Sequence, residues 1–532
     1  MRLVQTTQKQ SYSRSLPALL LLGMLTCLAA YSQDVLTYHN NNARTGANNQ
    51  ETTLTLSNVN SASFGKLFTI QADGYVDAQP LYLSAVPVSG VTHNLLIVAS
   101  EHGTVYTFDA DTGVKIWSVS TLKSGETSSD SRGCSQITPE IGVTSTPVIY
   151  RPKTGSPTIY VVAMSKDSSG KYHQRLHALD ATNGAELHHG PVDISAKYPG
   201  TGDNSDGTNV IFDPAQYVER SGLLLVNNTV YLAWGSHCDA RPYTGWIMAY
   251  NANSLAQTSV LNVTPNSNEG AIWGAGAGMT ADGSGDIFLL DANGVFDSTL
   301  NSAGFPVDGN YGNAFLRIST KSGLAVADYF EMFNQASENG SDLDLGSGGA
   351  LLLNQKDLAG KTWQLAVGAG KDSNLYVVDR TKMGKFNSST NKIYQELSGV
   401  LPGGMWSMPA YFNNNLYYVP TGSSILRFQF SNAKLQSTVA ARSSNSFPYP
   451  GTTPSISANA GTNAILWAAE HTTPGVLHAY NSRTLVELYN TNQATGGRDQ
   501  FGTGNKFNTV TIAHGRVYVG TTNGVGVFGL LK

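Results

Sequence analysis

Cysteine, charge and long apolar runs are all scarce in this chain of 532 residues: three Cys, 13% charged residues, and one apolar stretch confined to the N-terminus. Three cysteines, at positions 27, 134 and 238, are too few for a multi-bridge disulfide scaffold and lack the close Cys spacing of a structural zinc site. Low charge without a Lys/Arg run leaves no surface for tracking phosphates, so nucleic acid is not an expected partner. Beyond the N-terminal stretch nothing approaches the roughly 20 apolar residues that a bilayer-spanning helix needs, so no membrane span is expected. What is abundant is glycine, 55 residues, together with Asn, Ser and Thr. That composition suits many short strands joined by tight turns.

The first 32 residues stand apart. Arg2, Lys9 and Arg14 precede the apolar stretch Leu16 to Ala30, and Ala30-Tyr31-Ser32 fits a small-residue cleavage site. Residues 1–32 therefore read as a secretory signal peptide, and 33–532 as a mature, extracytoplasmic domain, secreted or periplasmic. Cys27 lies inside the apolar stretch, but Thr26 before it is a poor match to the small residue of a lipidation signal. Removing the segment takes away three of 33 basic residues and none of 37 acidic ones, moving the net charge from −4 to −7. Cys134 and Cys238 then remain, and an exported pair is expected to form a disulfide. The rival readings are a metal site built from His237, Cys238 and Asp239, and a catalytic thiolate. Three adjacent turn residues rarely converge on one ion, so no metal site is assigned.

One phrase recurs along the chain. Its fullest form runs from Gly103 to Gly113 through Tyr106, Phe108, Asp109 and Thr112, and it returns around Leu179 and Tyr250, with weaker echoes around Ile318, Val378, Phe428, Tyr480 and Phe528. Eight copies at intervals of 71, 71, 68, 60, 50, 52 and 48 residues indicate a repeat array with its insertions in the first half. Each unit holds four short β-branched and aromatic runs separated by Gly, Asn, Asp and Ser, the pattern of a four-stranded antiparallel propeller blade. The C-terminal unit stops after three strands, while Phe64 to Ile70 looks like an orphan fourth strand. An all-β eight-bladed propeller follows, its ring closed by the N-terminal strand completing the last blade.

The run from Asp109 to Trp117 resembles the tryptophan-docking motif of pyrroloquinoline-quinone (PQQ) type propellers, the quinoprotein alcohol dehydrogenase-like family. The opening Tyr38 to Gly46 with Glu51 to Leu54 is similar to the opening of those proteins. Gly235 to Asp239 with Pro242 to Trp246, and Gly368 to Lys371 with Leu375 to Arg380, resemble a secreted bacterial group of PQQ-like repeats without an established activity. The resemblance implies the fold over nearly the whole mature chain. It leaves function to the site.

Strand alternation gives the site an address. In antiparallel blades the second-to-third turns and the blade-to-blade connections share one face. That face should carry Glu101 and His102, Lys166 and Asp167, His237 and Asp239, Lys371 and Asp372, and Glu470 and His471. Starts of the innermost strands add Gln79, Thr146, Arg220, Trp273 and Trp406 near the axis. The candidate ligand-binding set is Gln79, Thr146, Arg220, Trp273, Trp406, His237, Asp239 and Lys371. Most of these residue types also serve as solvated turn chemistry, and tryptophans also fill channels or pack between blades.

Three functions fit such a mouth. The broadest is a non-catalytic binding platform for a protein or glycan. A PQQ-dependent dehydrogenase acting on alcohols or sugars would need a stacking platform, cations for the quinone carboxylates, Ca²⁺ and a carboxylate base, with Trp406 or Trp273, Arg220, Thr146 and Glu140 as recruits. The chain departs from the alcohol-oxidising members in having no adjacent Cys-Cys pair, and from haem-bearing ones in having no Cys-x-x-Cys-His. A polysaccharide hydrolase or lyase would use paired carboxylates, with Glu140 and Glu470 as first choices.

Overall fold

The computed structural model describes Met1 and residues 33–532; the expected signal peptide and Cys27 lie outside the described residues. Residues 33–532 fold as one unit. Eight antiparallel sheets follow one another along the chain, and each core strand set is apolar because both faces of a blade pack on neighbouring blades. Blade 1 is Leu81–Val88, Val91–Ala99, Thr104–Asp109 and Lys115–Ser120. Blade 4 is Thr280–Ala281, Ile287–Leu290, Phe315–Ser319 and Ala325–Phe330, and blade 6 begins with Ala410–Phe412 and Asn415–Tyr418.

The recurring phrase occupies the third strand of its blade. Asp109 explains its persistence: one carboxylate oxygen accepts the backbone N–H groups of Asp111 and Thr112 and the Thr112 hydroxyl, pinning the turn into the fourth strand. Asp180 and Asp379 do the same for Thr182 and Thr381. Trp117 donates its indole N–H to Ala181 O in the next blade at 2.9 Å, so the docking tryptophan ties blade 1 to blade 2.

The ring closes as the sequence implies. Phe64–Gln71 pairs antiparallel with Gly524–Leu530, from Phe64 opposite Leu530 to Gln71 opposite Gly524, and completes a sheet with Thr511–Ala513 and Arg516–Thr521. This strand pairing gives the last blade its fourth, outermost strand and closes the ring.

A second closure was not legible as such. Residues 35–48 run around the axis and hydrogen-bond to every blade in turn. Val35 bridges Tyr82, Leu36 O accepts from Ile149, and the Asn42 side chain donates to Leu225 O. Backbone carbonyls of Asn42, Ala43, Thr45 and Gly46 then accept from Ala281, Leu352, Tyr411 and Ile456, and the Asn48 amide donates to Ile512 O. Arg44 anchors this collar. Its guanidinium is fully buried and donates to Met279 O, Tyr38 O, Leu223 O and the Thr37 hydroxyl. Burial pulls the Arg44 pKa down to about 9, so it stays charged at neutral pH on three carbonyl oxygens and one hydroxyl.

Candidate functional site

Opposite strand ends converge around the axis at the other face, where they enclose a cavity of about 280 Å³. Its wall is supplied by two kinds of segment. Residues just ahead of innermost strands contribute Arg220, Trp273, Trp406, Tyr449 and Phe507; second-to-third turns contribute Asp239, Asn293 and Lys371. Asp342, Asp344 and Ser347 come from the long connection into blade 5, and Gln136 from the loop into blade 2.

Five of the eight residues expected to bind ligand meet here: Arg220, Trp273, Trp406, Asp239 and Lys371. The other three stand apart. Gln79 and Thr146 are buried partners: Gln79 N donates to the Thr146 hydroxyl, while its side chain accepts from His39 N and donates to Thr511. Gln79 is thus tied to His39 of the collar and Thr146 to Gln79, and neither lines the cavity. His237 is buried behind Cys238 and Trp273, and desolvation, reinforced by the Arg132 charge, brings its pKa down to about 4, so it is neutral at pH 7.

Cys134 and Cys238 form a disulfide with Cα atoms 5.5 Å apart, tying the loop into blade 2 to the second-to-third turn of blade 3. Cys238 itself lines the cavity. It and Asp239 both hold left-handed backbone, φ 52° and 55°, a strained pair for non-glycine residues that the crosslink and the 2.8 Å hydrogen bond from Tyr243 to Asp239 hold in place.

The two indoles are seated on glycine. A Cβ on Gly235 would come within 2.9 Å of Trp273, and one on Gly404 within 2.7 Å of Trp406, so each ring lies against bare backbone. Tyr449 meets Trp406 edge-on at 5.4 Å between centroids. Arg220 lies 4.1 Å from the Phe507 centroid and 5.7 Å from that of Trp273. It is 4% exposed, and its Nη2 has no hydrogen-bond partner. Burial lowers its pKa, opposed by the charges of Asp77, Tyr449 and Glu101. A buried guanidinium nitrogen left unpaired beside an open aromatic cavity has the chemistry to donate to an anion.

Lys371 is differently placed. Its ammonium reaches Asp342 at 2.7 Å and Asp344 at 2.5 Å. Burial raises the Asp344 pKa to about 6 despite Lys371, with Asp342 and Asp239 adding repulsion. Asp344 therefore titrates within the range a general base uses.

The carboxylates proposed for hydrolysis are engaged elsewhere. Glu140 accepts from His102 at 3.0 Å and from the Ser128 hydroxyl, and Glu470 pairs with His478 at 2.9 Å. Neither lines the axial cavity. Of the donors for a divalent cation, no group of three His, Cys, Asp or Glu side chains converges among the described residues. The acids at the cavity are already held, Asp342 by Lys371 and Asn293, Asp344 by Lys371, Asp239 by Tyr243. The donor set does not fit the Ca²⁺ that quinoprotein chemistry uses. The aromatic walls and Arg220 do fit the planar, carboxylate-bearing quinone itself.

Sites missed from the sequence divide into two kinds. Tyr449 and Phe507 hold the position of Trp273 and Trp406 ahead of their own blades, and the same rule would have found them. Asp342, Asp344 and Ser347 sit in a connection with no strand register to place them.

No protein-family profile matches the sequence, and no curated protein does. Among solved structures the fold is similar to the quinohemoprotein alcohol dehydrogenase from Comamonas testosteroni, at 14% identity and TM-score 0.61 over 93% of this chain and 80% of that one. It is similar to the alcohol dehydrogenase ADHIIG of Pseudomonas putida HK5, 12% identical, TM-score 0.60, covering 94% and 80% of the two chains. A europium-containing methanol dehydrogenase, also 12% identical with TM-score 0.60, covers 94% and 98%. The chain thus has the eight-bladed propeller fold of the quinoprotein alcohol dehydrogenases.

Proposed function

We propose that this PQQ-like propeller is an extracytoplasmic small-ligand-binding platform whose axial cavity takes a planar aromatic ligand bearing carboxylates, the chemical class of PQQ. The observation that carries the reading is the unpaired Nη2 of buried Arg220 between Phe507 and Trp273. Stacking on tryptophan and a charge-assisted bond to a carboxylate answer both features at once. A cavity of about 280 Å³ lies just under the roughly 300 Å³ lower end of small-molecule pockets, which favours a compact ligand. The Cys134–Cys238 disulfide supports an oxidising compartment. Titration of the mature protein with PQQ, without added metal, should quench tryptophan fluorescence saturably at one equivalent. Absence of saturable quenching would sink the reading.

Asp344 favours a second reading, a PQQ-dependent dehydrogenase acting on alcohols or sugars. PQQ, when bound, supplies a two-electron oxidant. The chain's part would be to cover the ring with Trp273 and Trp406, orient its carboxylates through Arg220, and accept the substrate hydroxyl proton on the Asp344 carboxylate, which Lys371 holds in place. Dye-linked oxidation assays with PQQ, with and without Ca²⁺, test it; binding without turnover across alcohols and sugars separates the platform from the enzyme.

A further inference from the structure

We propose that a groove at the collar end of the ring, remote from the axial cavity, is a binding site for a neutral saccharide. The groove encloses about 510 Å³. One wall is the outer side of the collar, with Asn41, Thr45 and Asn49; the other is blade 6, with Tyr411, Asn413 and Asn414. Asn413 and Asn414 form the turn between the first and second strands of that blade. First-to-second turns lie at the end of a blade opposite the second-to-third turns that bound the axial cavity.

The chemistry of the walls selects the ligand class. No Asp, Glu, Lys, Arg or His lines the groove. A charged ligand would lose hydration there without meeting a counter-charge. Side-chain amides instead offer paired donors and acceptors, the complement of vicinal hydroxyls that each donate and accept.

Two of these side chains keep uncommitted groups, while Asn41 and Thr45 bond to each other and the Asn413 amide donates to Gly461 O. Asn49 makes no side-chain hydrogen bond among the described residues, and the Asn414 amide nitrogen donates to nothing. Asn413 and Asn414 are exposed and hold left-handed backbone, φ 46° and 60°, a conformation Asn tolerates better than most residues.

Tyr411 supplies a fixed platform. Its hydroxyl accepts from Gln355 at 2.7 Å and donates to Asn414 at 3.2 Å, its N–H donates to Thr45 O at 2.9 Å, and its ring meets Phe430 edge-on at 6.3 Å. A half-buried ring held at both ends loses little further freedom when a sugar's C–H face lies on it. A neutral amide-lined groove with an immobilised aromatic ring fits a saccharide of two to three units better than a peptide, which would need a strand edge or an apolar pocket.

The test uses the mature chain and calorimetric titration with cello-, xylo-, malto- and chito-hexaose, with an oligogalacturonate as the acidic control. At least one neutral hexaose should bind saturably and the acidic one should not. An Asn49→Ala/Asn414→Ala double variant should bind about 10-fold more weakly, the equivalent of one to two hydrogen bonds, with an unchanged unfolding midpoint. Arg220→Gln should leave saccharide affinity as it was. The proposal is overturned if no neutral hexaose binds, if the double variant binds as well as the parent, or if Arg220→Gln abolishes binding and so places the sugar at the other end.

Discussion

The two ends of this ring handle polar groups in opposite ways. At the collar end, Arg44, Gln79, Thr146, His39 and Thr511 are satisfied by one another and by backbone carbonyls, and the groove between the collar and blade 6 has no charged side chain in its lining. At the mouth, Arg220 keeps an unpaired nitrogen, Asp344 is buried with a raised pKa, and Cys238 and Asp239 hold strained backbone. Two buried arginines in one channel make the contrast concrete. Arg44 closes a structure; Arg220 awaits a partner. A repeat fold gives both ends the same strands, so what separates them is which connections carry insertions and where the N-terminal segment lies.

Three changes break or sharpen this contrast, in order of expected size. Arg44→Met takes the guanidinium away from three buried carbonyls, of which Leu223 O keeps only the Thr37 hydroxyl at 3.5 Å; at about 1–3 kcal/mol for each group left unpaired, unfolding stability in denaturant should fall by about 3 kcal/mol. An unchanged midpoint would mean that the collar does not depend on its cation.

Arg220→Gln should do the reverse: little loss of stability and a weakening of PQQ binding by about 10- to 100-fold, the range of one charge-assisted hydrogen bond. Equal affinity for both proteins in fluorescence titration would remove Arg220 from the site.

The smallest effect is the pH dependence. Asp344 is ionised above about pH 6 and protonated below it. Protonation removes one negative charge from the cavity and leaves Lys371 paired with Asp342 alone, so an anionic ligand should bind more tightly at pH 5 than at pH 7, and Asp344→Asn should flatten the trend. The linkage to stability has the same sign. A carboxyl whose folded pKa is raised favours the folded state at low pH, and that contribution fades as pH rises through about 6. If the dehydrogenase reading holds, turnover runs the other way, rising above pH 6 as Asp344 becomes a base.

The scaffold was largely legible because its signals are local. The turn chemistry of Asp109 and Thr112, the copies around Leu179 and Val378, and the missing fourth strand after Leu530 each follow from residues close in sequence. The disulfide followed from elimination, since only Cys134 and Cys238 remained. The mouth was legible in part. Strand alternation puts Arg220, Trp273, Trp406, Asp239 and Lys371 on one face without any knowledge of distances. The same rule overreached for Gln79 and Thr146, because it cannot see that a distant residue, His39, donates its N–H to Gln79, which in turn donates to Thr146. Asp344 escaped for a different reason: its environment is made by Lys371, 27 positions on, and by a connection without repeat register.

The most direct test of the account is a crystal structure of residues 33–532 soaked with PQQ. The account predicts a planar ligand in the axial cavity against Trp273 or Trp406, with a carboxylate oxygen about 2.8 Å from Arg220 Nη2. A ligand bound elsewhere on the ring, or one in the cavity with Arg220 still unpaired, would contradict it.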